Sequence, residues 1–178
     1  MGQLQGKVAI ITGAGSGFGE GMAEAYIREG AKVLIADLNA EAGERVAKKL
    51  GANAKAVATD VANADSVNAM VKACVDAFGI PDIVINNAGT THKNQPMLNV
   101  DEKTFDRVFN VNVKSIYFMT HAIVPLMRQR GKGGVILNVG STAGIRPRPG
   151  LSWYNGSKGA VNLLSRAMAV ELAPDNIR

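Results

Sequence analysis

The chain has 178 residues, a formal net charge of +5, 47% hydrophobic and 20% charged residues; this is the make-up of one globular domain able to close a core, and it excludes disordered, collagenous and disulfide-framed chains. A single cysteine, Cys74, excludes an internal disulfide, and no apolar run approaches the roughly 20 residues of a membrane-spanning helix. The cations are scattered and residues 1–7 hold neither an apolar stretch nor a basic leader, so the expectation is a cytoplasmic protein that binds neither nucleic acid nor membrane.

Short β-branched runs alternate with longer helical periods, which predicts βαβ units and a parallel sheet. The first strand is Val8 to Thr12, followed by a glycine-rich turn and a helix from about Gly17 to Glu29, closed by Gly30. The second strand is Lys32 to Asp37, with Asn39 placed to cap a helix that runs to Leu50 and stops at Gly51. After a third strand at about Ala54 to Thr59, Val67, Met70, Val71, Cys74, Val75 and Phe78 recur at three- and four-residue steps. They form one stripe of a helix, in which Cys74 reads as a small core hydrophobe. Strand four, Asp82 to Ile85, runs into Asn86-Asn87-Ala88-Gly89 and a loop with His92 and Pro96. Asn99-Val100-Asp101-Glu102 has capping-box spacing, with Asn99 as the cap of a long helix reaching about Gln129. Gly131 to Gly134 turns into a fifth strand, Val135 to Val139, and a last helix starts near Trp153 and ends before Pro174.

Thr12-Gly13-Ala14-Gly15-Ser16-Gly17-Phe18-Gly19 stands where strand one meets the first helix, so backbone N–H groups at the helix N-terminus can face a pyrophosphate. Asp37, at the end of strand two, can accept hydrogen bonds from the ribose hydroxyls of NAD and repel the 2′-phosphate of NADP; the plainer alternative is a helix-capping aspartate. Ser141 follows strand five at the carboxyl end of the sheet, and Tyr154 and Lys158, four residues apart, share one helix face. A neighbouring ammonium favours the phenolate, which suits Tyr154 to general acid–base work.

These motifs resemble the short-chain dehydrogenase/reductase family: Thr12, Gly13, Gly17 and Gly19 match its glycine motif, Asp60-Val61 its adenine-contacting pair, Asn86 to Gly89 its fourth-strand motif, and Ser141, Tyr154 and Lys158 its catalytic signature. The resemblance implies a three-layer, doubly wound Rossmann fold of strand order 3-2-1-4-5, with residues 1–178 a single dinucleotide-binding and catalytic domain. It implies hydride transfer between NAD(H) and a secondary alcohol or ketone, with Ser141 holding the oxygen, Tyr154 moving the proton and Lys158 assisting it. Asn112 resembles the family's fourth catalytic residue, which bends the long helix and holds a relay water; Asn110 is its rival. Thr12, Gly13, Gly15, Ser16, Gly17, Phe18, Gly19, Asp37, Leu38, Asp60, Val61, Asn87, Ala88, Gly89, Tyr154 and Lys158 form the expected cofactor set. Gly140 departs from the serine often found there.

Members of that family usually run longer, and Asn176-Ile177-Arg178 reads as the start of a sixth strand, so the expectation is part of a longer enzyme with later strands and a lid lacking and strand five left as an open edge. A non-catalytic NAD-binding module or inactive fragment is the alternative reading. The family's habit of packing long helices against a partner implies a homodimer or homotetramer. No metal-ligand spacing is present; His92 and His121 read as surface or loop residues. His92, Lys93, Arg146 and Arg148 lie in loops near the carboxyl edge, where solvated charge is the plainer reading and an acidic substrate the other.

Overall fold

The computed structural model describes residues 2–178. Its elements are β1 (Val8–Thr12), α1 (Gly17–Arg28), β2 (Lys32–Asp37), α2 (Ala40–Leu50), β3 (Ala54–Ala58), α3 (Ala64–Phe78), β4 (Ile83–Asn86), α4 (Glu102–Phe109), α5 (Ser115–Arg130), β5 (Val135–Asn138) and α6 (Ser152–Leu172). All strand pairs are parallel, in the order β3-β2-β1-β4-β5. The order in which successive strands are added therefore reverses between β1 and β4, the place where open α/β sheets leave a crevice at their carboxyl ends.

Central strands buried on both faces need apolar side chains at every position, and β1 is buried throughout. Val8, Ile10, Leu34 and Val84 point to one face, against Val67, Met70 and Cys74 of α3 and Met119, Ile123 and Met127 of α5. Ala9, Ile11, Val33, Ile35 and Ile85 point to the other, against Ala23 of α1 and Val46 of α2. Cys74 is fully buried, and burial pushes its thiol up to about 12, so it behaves as a hydrophobe.

Three local expectations need correction. The cap before α4 is Asp101, whose carboxylate accepts the Thr104 N–H (2.7 Å), and not Asn99. Asn99 instead closes a 3-10 turn, its N–H donating to the Pro96 carbonyl (2.9 Å), so the helix opens two residues later. The expected single long helix is α4, a π-helical turn over Asn110–Lys114, and α5. Strand five is not fully open at its outer edge: Ile136 donates to the Arg178 carbonyl (2.8 Å) and Arg178 to the Gly134 carbonyl (3.0 Å), leaving Leu137 42% exposed beyond that pairing.

Candidate active site

The glycine-rich turn is held from both sides. Thr12 Oγ1 donates to the Ile85 carbonyl (3.3 Å) and accepts the N–H groups of Asn87 (3.1 Å) and Ala88 (3.0 Å); Asn87 Nδ2 returns to the carbonyls of Thr12 (2.8 Å) and Gly13 (3.1 Å). Thr12 and Asn87 thus lock the ends of β1 and β4 together. Gly17 adopts φ +57°, a conformation that favours glycine, and a Cβ at Gly19 would run into the Gly13 carbonyl, so α1 can start this close to the strand only without side chains.

Asp37 faces the same turn. Its Oδ2 accepts the Gly15 N–H (2.8 Å) and its Oδ1 the Asn39 N–H (2.9 Å), while the cap of α2 is Asn39, which accepts the Ala42 N–H (3.1 Å). The aspartate is therefore a brace for the turn with lone pairs to spare, since a carboxylate has about four acceptor sites.

A cavity of about 720 Å³ opens at the carboxyl ends of β1, β2, β3 and β4. Among the expected cofactor residues, Gly13, Ser16, Gly17, Phe18, Asp37, Leu38, Asp60, Val61, Asn87, Ala88 and Gly89 line it; Thr12, Gly15, Gly19, Tyr154 and Lys158 do not. Phe18 and Leu38 are 86% and 75% exposed, which leaves two apolar side chains at the rim. Thr59, Ala62, Thr90, Arg107 and Val111 also line it and were missed, and so does Asn110, which was named only as the rival of Asn112. Thr59, Ala62 and Thr90 flank motifs already singled out, but nothing in the sequence signals that the end of α4 folds back over Thr90, where Arg107 donates to Thr90 Oγ1 (3.0 Å) and the Thr91 carbonyl (3.3 Å).

Asn112, rather than its rival Asn110, is the buried residue of the π turn. Its Oδ1 accepts the Thr90 N–H (2.8 Å), and its Nδ2 donates to the Thr90 carbonyl (2.9 Å) and Ser157 Oγ (2.9 Å); Ser157 in turn donates to the Tyr154 carbonyl (2.8 Å). Both amide hydrogens of Asn112 are thus spent in joining the loop after β4 to α6. Lys158 is buried, and burial lowers its ammonium below the usual lysine range; its Nζ donates to the Val139 carbonyl (2.8 Å). A Cβ at Gly89 would sit 3.4 Å from Asn112 Oδ1 and 3.5 Å from Lys158 Nζ, so the Gly89 wall of the cavity abuts both groups. Ser141 Oγ accepts the Ala143 N–H (3.1 Å), which leaves its own O–H proton free to be given. Gly140 has a packing reason: a Cβ there would lie 2.5 Å from Asn162 Oδ1.

His92 lies in a loop, as expected, but is buried there, with Nδ1 2.8 Å from the Lys93 carbonyl; His121 is exposed. Among the described residues no group of His, Cys, Asp and Glu is placed to hold a metal ion, and no helix is long and apolar enough to cross a membrane.

A parallel sheet with helices on both faces, and a cleft at the reversal of strand order built from a glycine turn, defines a Rossmann-type α/β protein. The pattern of the family described as short chain dehydrogenase matches residues 7–178. The chain belongs to that family of oxidoreductases, whose members act on CH–OH groups. It is 46% identical over 178 residues to a 4-formylbenzenesulfonate dehydrogenase of Comamonas testosteroni, covering 98% of this chain and 70% of that protein. It is 38% identical over 170 residues to a sorbitol dehydrogenase of Cereibacter sphaeroides, covering 96% of this chain and 66% of that one. A crystal structure of 3-ketoacyl-(acyl-carrier-protein) reductase from Brucella melitensis complexed with NADH superposes with a TM-score of 0.97 at 49% identity, covering 99% of this chain and 74% of the other.

Proposed function

We propose that this chain is a single dinucleotide-binding and catalytic domain of an NAD-dependent oxidoreductase that interconverts a secondary alcohol and a ketone. The observation that carries this reading is the meeting of cavity and helix at Gly89, where the buried Lys158 ammonium and the Asn112 amide back the wall one helical turn from Tyr154. The glycine cradle, the positive end of the α1 dipole and the Asp37 carboxylate fit the pyrophosphate and ribose of a dinucleotide. The NADH carried by the Brucella reductase supports the same cofactor.

A bound nicotinamide supplies or accepts the hydride at its C4. Ser141, its Oγ already accepting from Ala143, donates its O–H to the substrate oxygen and holds it in place. Tyr154 gives that oxygen a proton in reduction and takes it back in oxidation. Lys158, with one N–H on Val139, keeps two N–H groups that would hold the ribose of the bound cofactor. Asn112 holds the loop after β4 and the first turn of α6 in fixed relation through Thr90 and Ser157. Tyr154→Phe is expected to keep NADH binding, followed by its fluorescence, and to lower ketone turnover by about 10²- to 10⁴-fold. Undiminished turnover removes the role from Tyr154.

The reading extends to a cytoplasmic homodimer or homotetramer packed through α5 and α6, on which Tyr117, Leu163 and Val170 stand exposed. Light scattering of the purified chain tests the assembly, and a monomer at micromolar concentration rejects it.

A further inference from the structure

The two loops that frame Ser141 and Tyr154 carry positive charge and no carboxylate. No Asp or Glu occurs in residues 83–100 or 134–170, whereas Lys93, Arg146 and Arg148 lie in the loops of these segments and Lys158 and Arg166 on α6. Hydrogen bonds tie the segments that carry these cations to the residues next to the proposed reacting groups. The Arg146 N–H donates to the carbonyl of Thr142, the residue after Ser141 (2.7 Å). The Arg148 carbonyl accepts from Nδ2 of Asn155, the residue after Tyr154 (2.9 Å). Asn94 Nδ2 donates to the Pro149 carbonyl (2.9 Å) and the Gln95 N–H to that of Gly150 (3.1 Å), so the segment bearing Lys93 is tied to the same rim.

Lys93, Arg146 and Arg148 are exposed, and among the described residues none of them has a carboxylate within ion-pair distance, although six other cations do. An unopposed set of one sign at the mouth of a site concentrates ligands of the opposite sign and speeds their encounter. A guanidinium adds a planar fork that pairs two N–H groups with two oxygens of one anion. Charges that served only solubility need not gather on the two loops that flank the reacting groups.

We propose that this rim selects substrates carrying a carboxylate, sulfonate or phosphate group away from the reacting carbonyl; the assignment rests on the oxidoreductase reading above. A small anion fits better than an acidic protein partner because the segments that carry the cations are tied to the residues next to Ser141 and Tyr154.

The test compares para-acetylbenzoate with its neutral methyl ester, two ketones of one skeleton, on the NADH-saturated protein, by calorimetric binding and by NADH consumption. Binding of the acid is expected to be about tenfold tighter at low ionic strength, and the margin to close near 0.5 M salt, where screening falls to a few ångströms. The Arg146→Gln/Arg148→Gln double variant is expected to bring acid and ester together. Equal binding of acid and ester, a margin indifferent to salt, or a margin kept by the double variant overturns the proposal, as does a preference seen only when the ketone is attached to an acidic carrier protein. The binding measurement decides the matter even where neither ketone is turned over, an outcome that would count against the oxidoreductase reading and leave the anion preference standing.

Discussion

Asp37 braces the glycine turn, and under the proposed function the same carboxylate selects the cofactor. Its bonds to the N–H groups of Gly15 and Asn39 brace the turn, and its remaining lone pairs face the cavity. Asp37→Ala is expected to lower the preference for NAD over NADP by about tenfold, through loss of ribose hydrogen bonds and of repulsion towards a 2′-phosphate. It should also cost roughly 1 kcal/mol of stability through the freed turn. Cofactor titrations and urea unfolding measure the two effects, and an unchanged cofactor ratio removes Asp37 from selectivity. The place of the glycine turn and of Asp37 at the ends of the first two strands was legible in the sequence because a helix that starts this close to a strand demands glycine at fixed steps from the strand end. The buried state of His92 and the reach of Arg107 to Thr90 were not, since both depend on how a loop of mixed composition folds back on the sheet.

At the scale of elements, α1 and α2 are joined by charge. Glu20 accepts from Arg45 (2.9 Å) and Lys49 (3.1 Å), Lys49 also meets Glu24 (2.5 Å), and Arg45 Nη2 reaches the Gly15 carbonyl (2.7 Å). The Arg45 and Lys49 hydrogen bonds hold the Glu20 carboxyl at about 2, against an ordinary 4.5. A carboxylate with a depressed folded-state value stabilises above its unfolded value, and that contribution disappears as pH falls from about 4.5 towards about 2. Wild type is therefore expected to melt above Glu20→Gln at neutral pH, with the gap closing through that window and shrinking in salt; melting curves that stay parallel through it reject the linkage. The pair is solvent-exposed, so the gap should be small. Helix and strand identities were readable from periodicity alone, yet two boundaries moved. Asn99 and Asp101 are both good caps, and only the 3-10 turn decides between them; a π turn adds one residue without changing the apolar pattern enough to be noticed.

On the scale of the whole molecule, the sheet is clamped between two apolar layers, and the layer under α3 and α5 is tightly filled. Met127 is fully buried, and a Cβ at Gly134 would sit 2.7 Å from its sulfur, so no slack surrounds it. Met127→Ala is expected to cost about 3 kcal/mol in urea unfolding; a loss below about 1 kcal/mol means that the neighbours close the gap. At the rim of this layer Arg130 binds Asp82 (3.0 Å) and the Ile80 carbonyl (2.9 Å), pinning the end of α5 to the approach to β4. The strand order could be inferred from the motifs, whereas the pairing of Arg178 with β5 is a property of the folded backbone alone.

The π turn at Asn110–Lys114 sets the rotational phase between two halves of the molecule. Each residue winds an α-helix by about 100°, so the extra residue in that turn lets α4 press Phe105 against Trp153 while α5 keeps Met119, Ile123 and Met127 on the sheet. Deleting Val111 alone would unwind the register like a missing thread on a screw. Either the aromatic cluster between α4 and α6 or the apolar row over the sheet would then swing towards water, joining the packing of α6 and the survival of the core through one small helical irregularity.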